Sequence, residues 1–348
     1  MSPHFGKCGA GDSDLFVGGN RRAVRRVFHG TDGAVKFLFI DHECHKKTRS
    51  AEFFLDVVRK GFAVDEHYYA KHYRTGAGNA ISGYDGAIIW EFPVSRKKFC
   101  FWGKVNVFVP MYDNEWASFW QWKRIAWSGM GVISFCDKVS VHARRCGVKN
   151  ILDVRYFPDP AAFPQDKGDS KRVFLWERGE IDRATAERLF PPSDGYVFDV
   201  KKADEFLDRD AYLERLSKCG IVIAPRRKEG IGMAFLEAMA MGKCVVANND
   251  ASMNEYIRDG ETGILFAEGD EKPVGEDKVA NVRERVVPAS AKFRERWLED
   301  KERINAFFAE QKPCRPSLLN RLKIALSYPL YLSEGVLDFG KKICRSLA

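Results

Sequence analysis

The sequence has no apolar run that approaches the roughly 18 to 20 residues of a membrane-spanning helix, which argues against an integral helical membrane protein. Its first residues lack the charged start and apolar core of a secretory signal, so we expect a cytoplasmic protein. No two of the nine cysteines form a CxxC pair, and several lie inside apolar stretches. We therefore expect reduced, mostly buried thiols rather than a disulfide framework.

The composition is that of an ordinary globular protein, with 45% hydrophobic and 30% charged residues. A length of 348 residues allows one large or two medium domains. The net charge is +8, and most of the excess lies in the last 37 residues, which hold seven basic and two acidic side chains. A localised basic segment predicts a negatively charged surface as a partner. Because this segment has no RNA- or DNA-binding motif, we do not expect nucleic acid to be that partner.

Strand and helix patterns alternate on both sides of a Pro- and Gly-rich linker at 158–170. Strands are expected at 35–41, 62–69, 84–92, 104–112, 131–137, 150–158, 171–177, 195–200, 220–226, 244–248 and 263–267. We expect a polar loop, HECHKKTRS, after the first strand and a long amphipathic helix over 291–310. The alternation predicts an α/β protein with two doubly wound parallel sheets. Ligands in such folds lie beyond the C-terminal strand ends, so we expect the site in the cleft between the two sheets.

The most informative segment is 222–267, where a buried strand ends at Pro225 and a basic, Gly-containing loop follows. The next helix begins near Ile231, so its free backbone N–H groups and positive end lie at a strand's C-terminal edge, which suits a phosphate. This helix is apolar on every side, and Glu237 is its only charged residue. A helix that is apolar all round is buried, and a buried carboxylate needs a partner. The two hydroxyls of a ribose would serve as donors to it.

This segment resembles the retaining glycosyltransferases of family 4 and their GT-B relatives, the glycosyl transferases group 1. Their signature reads here as EGIGMAFLEAMAMGKCVVAN followed by NEYIRDGETGILF. The resemblance implies that Glu229 contacts the donor sugar, that Glu237 holds the nucleotide ribose, and that the Gly230, Ile231, Gly232 and Met233 loop binds the donor. It also implies a GT-B division into an acceptor-side domain at 1–165, a nucleotide-sugar-binding domain at 166–290, and C-terminal helices with a crossover and a basic tail at 291–348.

Two further matches concern the donor diphosphate and the reacting carbon. The resemblance places Arg178 on the diphosphate, together with Arg183 where the family has a Lys. Glu255 resembles the Glu of the loop after the CVVAN strand, although it could merely cap a helix. Asp113 follows the strand that in the family often ends in a catalytic His, and it is a candidate helper in catalysis. The first half departs from the family, because HECHKKTRS replaces the usual Gly-rich loop.

The resemblance implies a retaining enzyme that moves a sugar from a nucleotide-sugar donor to a glycan or lipid-linked glycan acceptor, in bacterial surface polysaccharide or lipopolysaccharide synthesis. No cofactor or metal is expected. Two Asp-x-Asp sequences, Asp12–Asp14 and Asp208–Asp210, and the His42, Cys44 and His45 group lack the context of a metal site. Two alternatives stay open: an inactive binding protein of the same fold, and a sugar-nucleotide epimerase.

The basic tail, residues 313–348, has two amphipathic pieces separated by Pro329. Leu318, Leu319, Leu322 and Leu326 recur at helical spacing, and basic residues flank them. Such pieces can lie in a membrane interface without spanning it. We therefore expect either contact with an anionic membrane, at the inner face of the cytoplasmic membrane, or packing of the tail on the N-terminal domain.

Overall fold

The computed structural model describes residues 35–69, 80–91, 99–114, 118–202, 205 and 209–334. Within them the chain forms two α/β domains, each built on a parallel sheet, and this confirms the predicted fold class. Residues 1–34 and 335–348 lie outside the described part, and so do the predicted Asp12–Asp14 sequence and Asp208. None of the helices in the described ranges is both long enough and apolar enough to cross a bilayer.

The first domain contains a six-stranded sheet in the order β2-β1-β3-β4-β5-β6. Its strands are β1 (Lys36–His42), β2 (Ala63–Tyr69), β3 (Gly86–Glu91), β4 (Val105–Pro110), β5 (Gly131–Ser134) and β6 (Ile151–Asp153). The central strands are continuously hydrophobic, with Phe39 paired to Ile88 and Ile88 to Val107. This pattern is typical of parallel strands that are buried on both faces.

Four helices of the first domain connect these strands. They are α1 (Glu43–Thr48), α2 (Glu52–Val58), α3 (Phe119–Ser128) and α4 (Asp137–Arg145). The prediction of a loop over HECHKKTRS was wrong, because α1 forms there. The His42 ring accepts a hydrogen bond from the backbone N–H of Cys44 at the start of α1, and Arg49 ends the helix in a left-handed conformation. Caps at both ends thus stabilise one short helical turn within a polar sequence.

The second domain contains a five-stranded sheet in the order β11-β10-β9-β7-β8. Its strands are β7 (Asp169–Trp176), β8 (Val197–Lys201), β9 (Cys219–Ile223), β10 (Cys244–Asn248) and β11 (Ile264–Phe266). Its helices are α5 (Arg183–Leu189), α6 (Arg209–Lys218) and α7 (Met233–Ala240). Every residue of β9 and β10 is buried, so these two strands form the centre of the domain.

Helix α8 (Glu276–Glu310) connects the two domains, and it begins 15 residues before the predicted start at 291. Pro288 lies inside it and removes one backbone donor. Packing on both sides of the proline offsets this loss. Val282 and Val286 are buried with the second domain, while Ile304 and Phe308 are buried in the core of the first.

The chain after α8 returns to the first domain. Helix α9 (Leu318–Leu326) packs on α3, and residues 328–334 are again helical. Ile324 and Tyr331 are buried there, and the Ser118 hydroxyl donates to Glu334 at 2.7 Å. The described part of the C-terminal tail is therefore a structural part of the first domain.

Candidate functional site

A cavity of about 1000 Å³ lies between the two domains, beyond the C-terminal ends of strands from both sheets. The first domain lines it with His42, Cys44, His45, Tyr69, Glu91, Asp113 and Asn114. The second domain lines it with Glu180, Arg226, Arg227, Lys228, Asn248, Asp250 and Glu268. The position agrees with the expected cleft, and the volume is large enough for a ligand of nucleotide-sugar size.

Three consecutive basic residues, Arg226, Arg227 and Lys228, form the second-domain wall just after β9. An oxygen of Asp113 in the first domain lies 3.0 Å from an Nη of Arg226. Glu180 accepts a hydrogen bond from the backbone N–H of Arg227 at 2.9 Å, and Glu268 lies 3.0 Å from its guanidinium. Both guanidinium groups are therefore paired with carboxylates that an incoming anion would have to replace.

The loop from Gly230 to Met233 leads directly into α7. Gly232 has φ +83, a left-handed conformation that strongly favours glycine. No side chain of the described residues caps α7, so its first N–H groups are free to bind an anion. Gly230 touches the first domain, because a Cβ there would lie 2.8 Å from Asp113. Ile231 is buried beside it, so the predicted donor loop packs against the first domain next to Asp113 but does not itself line the cavity.

Glu229 is buried between this loop and the basic residues, with 9% of its surface exposed. Loss of hydration raises the pKa of its carboxyl to about 7, and the negative charge of Asp113 adds to the effect. The positive charges of Arg226 and Arg178 act in the opposite direction. At neutral pH this carboxyl is close to its titration midpoint, so a nearby hydrogen-bond donor or cation would readily change its protonation state.

Glu237 is buried on α7 as the sequence indicates, but its partner is Arg209, whose Nη2 lies 3.1 Å away. Burial raises the pKa of Glu237, and Arg209 lowers it by a smaller amount. Arg209 is more than half exposed and can move. The ribose role of Glu237 stays a prediction, and a ribose would compete with this guanidinium.

The two predicted diphosphate ligands lie in different surroundings. The Arg178 guanidinium lies 4.8 Å from the ring centre of Trp176, and the charges of Arg226 and Glu229 act on its pKa, which places it near these two residues although it does not line the cavity. Arg183 pairs with Glu187 at 2.7 Å on the surface of α5 and is not among the residues that line the cavity. The structure thus brings Arg178, but not Arg183, close to Glu229.

Glu255 joins the two domains at another place. One of its oxygens accepts a hydrogen bond from the backbone N–H of Asp137 at 2.8 Å, at the start of α4. The other oxygen lies 2.5 Å from the buried guanidinium of Arg155. Both oxygens are therefore engaged in a contact between domains, which matches the helix-cap alternative for this residue.

Asp113 faces the second domain, where its carboxylate pairs with Arg226. Burial raises the pKa of its carboxyl, and the neighbouring Glu91 raises it further. Arg226 partly offsets this rise. Tyr112, next to it, donates a hydrogen bond to Asp250 of the second domain at 2.8 Å and accepts one from Lys138 at 2.7 Å. The Tyr112–Asp250 hydrogen bond thus joins the two domains beside the cavity.

On the first-domain side of the cavity, Asp41, His45 and Glu91 form a cluster that our sequence analysis did not predict. His45 bonds Asp41 through Nδ1 at 2.7 Å and Glu91 through Nε2 at 2.9 Å. Burial alone would lower the pKa of His45, but the two carboxylates outweigh it and raise the pKa to about 10. His45 is therefore a stable imidazolium that holds Glu91 in place.

Glu91 has φ +61, a left-handed conformation that is strained for a residue with a side chain. Asn114 also donates to its carboxylate. The ligand atoms of Asp41, His45 and Glu91 lie within 4.8 Å of one another. A metal ion could bind them only by displacing the imidazolium proton, because both ring nitrogens are already bonded. Only the positions of Asp41 and Glu91 at strand ends could have indicated this cluster from sequence.

Comparison with known proteins gives a family match in the second domain, in the segment that contains the glycine loop and α7. Residues 202–279, which contain Glu229, the glycine loop and α7, match the family described as Glycosyl transferases group 1. This match supports a glycosyltransferase of group 1 type. The chain is also 38% identical over 64 residues to an uncharacterized glycosyltransferase of Methanocaldococcus jannaschii. That alignment covers 18% of this chain and 18% of the relative, so the chain matches about a fifth of the relative's length.

Solved structures resemble the whole fold. A glycosyltransferase from Rickettsia africae aligns with a TM-score of 0.54 and 10% identity, covering 80% of this chain and 98% of that one. The N-terminal domain of trehalose-6-phosphate phosphatase from Candida albicans aligns with a TM-score of 0.50 and 10% identity, covering 81% and 99%. At such low identity the likeness concerns the fold alone. The GT-B fold that the sequence predicted for the chain as a whole is confirmed.

Proposed function

We propose that this protein is a retaining, metal-independent glycosyltransferase that moves a sugar from a nucleotide-sugar donor to a glycan or lipid-linked glycan acceptor. The observation that carries the proposal is the row Arg226, Arg227 and Lys228, which lines a cavity of about 1000 Å³ and comes just before the uncapped start of α7 in the chain. A positive wall and a helix N-terminus together suit a diphosphate. The group 1 match covers the same residues and supports the assignment.

The proposed chemistry depends on electrostatic stabilisation of the leaving group. The bond between the anomeric carbon and the diphosphate oxygen breaks, and negative charge builds on the diphosphate. Arg178, Arg226 and the N–H groups around Gly230–Met233 stabilise that charge, and they act most strongly when it is largest. Arg183 is a further candidate if it leaves Glu187 when the donor binds. The leaving phosphate takes the acceptor proton as the new bond to the acceptor oxygen forms.

The two glutamates would position the donor. Glu237 exchanges Arg209 for the ribose hydroxyls, and Glu229 receives hydroxyls of the sugar. Binding energy from parts of the donor that do not react is thereby used to align the part that does. Glu255 contributes by holding the domains together rather than by touching the donor, since both of its oxygens are engaged.

The first-domain wall would receive the acceptor. Glu91, held by His45 and Asn114, and Asp113 present carboxylates toward the cavity. Such carboxylates accept hydrogen bonds from hydroxyls and repel phosphate, so we propose an accepting unit that is an uncharged polyol or sugar. Retention and a role in bacterial surface polysaccharide or lipopolysaccharide synthesis rest on the family resemblance, as does a location at the inner face of the cytoplasmic membrane.

Thermal shifts with UDP-, GDP-, dTDP- and CMP-sugars, followed by measurement of nucleotide release, test the proposal. We expect one nucleotide class to stabilise the protein and to be released from its sugar, and the reaction to survive EDTA. Binding without any turnover would indicate an inactive binding protein. A changed sugar that is still attached to its nucleotide would indicate an epimerase. A reaction that EDTA abolishes and Mn²⁺ restores would refute the metal-free mechanism.

A further inference from the structure

Five leucines form an exposed surface on the C-terminal segment of the first domain, and we call it the leucine face. They are Leu318, Leu319, Leu322, Leu326 and Leu330, exposed by 84%, 60%, 54%, 66% and 44%. They account for five of the eleven exposed large hydrophobic side chains in the described part of the chain. Apolar side chains concentrated in this way mark an interaction site rather than ordinary surface variation.

The helix that carries the leucine face is fixed to the protein by its opposite side. At about 100° per residue, the four leucines of α9 fall within an arc of roughly 100°, and Ile324 lies on the opposite side. Ile324 and Tyr331 are buried in the first domain. Glu334 accepts hydrogen bonds from the Ser118 hydroxyl and the backbone N–H of Trp120, at the start of α3. The leucines are thus exposed on a docked helix, not on a loose end.

Positive charge lies on both edges of the leucine face. Arg321 and Lys323 are exposed and project on either side of the leucine arc. The Arg321 guanidinium lies 4.9 Å from the ring centre of Trp102, which is itself 48% exposed. From Lys312 to Glu334 there are four basic residues, and the one acidic residue, Glu334, is bonded to the start of α3. A basic rim with an exposed Trp beside it is typical of the headgroup region of a bilayer.

We infer that the leucine face docks on an anionic lipid bilayer, with α9 parallel to the surface, the leucines among the upper acyl chains, and Arg321 and Lys323 at the headgroups. An acidic protein partner would explain the basic residues of the rim. It would not explain five neighbouring leucines, whose side chains form no hydrogen bonds with acidic groups. A second copy of the chain would bring two basic rims together and repel itself. The inference concerns binding alone and is independent of the proposed transferase activity.

Flotation of the full-length protein with vesicles tests the inference. We expect binding at low salt to vesicles of equal parts phosphatidylcholine and phosphatidylglycerol, and much weaker binding to phosphatidylcholine alone. Replacing Leu318→Gln and Leu322→Gln should lower partitioning by roughly tenfold for each leucine withdrawn from the bilayer. Arg321→Gln and Lys323→Gln should each lower it by about fivefold, on anionic vesicles only.

The matched control is Leu298→Gln, which replaces a leucine of similar exposure (48%) on α8, away from the leucine face. This variant should bind vesicles as the native protein does. Hydrogen–deuterium exchange on the native chain gives a readout without substitutions, since amides of 318–330 should be protected by anionic vesicles. The inference is overturned by absent vesicle binding, by equal binding of the leucine variants, or by unchanged exchange. A dimer that the leucine variants dissociate, without vesicle binding, would overturn it too.

Discussion

The buried carboxyl of Glu229 should make the stability of this protein depend on pH. Burial raises its pKa from 4.5 to about 7, so the folded protein holds this proton more tightly than the unfolded chain does. For a carboxyl with a raised pKa, the contribution to stability is present below pH 4.5 and is lost as the pH rises to about 7. At about 1.4 kcal/mol for each pH unit, the loss is roughly 3 kcal/mol.

Glu229→Gln should remove this dependence, because an amide stays neutral at every pH. Relative to the native protein, the variant should gain roughly 3 kcal/mol between pH 4.5 and pH 8. For 348 residues, with an unfolding entropy of roughly 2 cal/mol/K per residue, this corresponds to a gain of about 4 °C in Tm. Urea unfolding and Tm measured at several pH values across this window would show it.

The control is Glu261→Gln, which replaces an exposed carboxylate in a surface loop of the same domain. Its stability curve should run parallel to that of the native protein. If the Glu229→Gln curve is parallel as well, Glu229 does not titrate in this window and the reasoning from its burial is refuted.

Three other outcomes are expected from the same geometry. Glu237→Gln should weaken binding of the nucleotide product by roughly 10- to 100-fold in calorimetry, because a charged hydrogen bond contributes about 1.5–3 kcal/mol; unchanged affinity would refute the ribose role. Gly230→Ala should lower the Tm and the activity, since its Cβ would collide with the first domain, whereas Gly275→Ala has free space and should not. Tyr112→Phe, which removes the hydroxyl that donates to Asp250, should cost about 1 kcal/mol in urea unfolding.

Local sequence patterns predicted most of the fold. Ten of the eleven predicted strands agree with the structure within three residues at each end, because parallel strands are buried and read as short apolar runs. The exception is β6, which ends at Asp153, five residues before the predicted end at 158. The same reasoning placed Glu237 inside an apolar helix, where it is buried. It failed for α1, whose caps are contacts of His42 and Arg49 that no periodicity reveals. It also failed for the start of α8, where packing on two domains outweighs Pro288.

The candidate site could be predicted only in its second-domain half. There the basic row, the glycine loop and the helix start are adjacent in the chain, so one segment carries the signal. The first-domain half joins Asp41, His45 and Glu91, which lie on two strands and a short helix. These residues come together because β1 and β3 are neighbours in the sheet and because Glu91 has a left-handed backbone conformation. Local sequence patterns indicate neither feature. The Arg209 partner of Glu237 was missed because the two residues lie on different helices, α6 and α7.

The path of α8 has a consequence for modular engineering. The first domain is discontinuous along the chain, because the second half of α8 and the segment up to Glu334 complete it after the second domain has ended. Exchanging the first domain with that of another protein of this fold would therefore require two grafts, one on each side of the second domain. A chimera with only the leading graft would pair one protein's sheet with the other's Ile304 and Phe308. Such a chimera should aggregate because the core of its first domain would be mismatched.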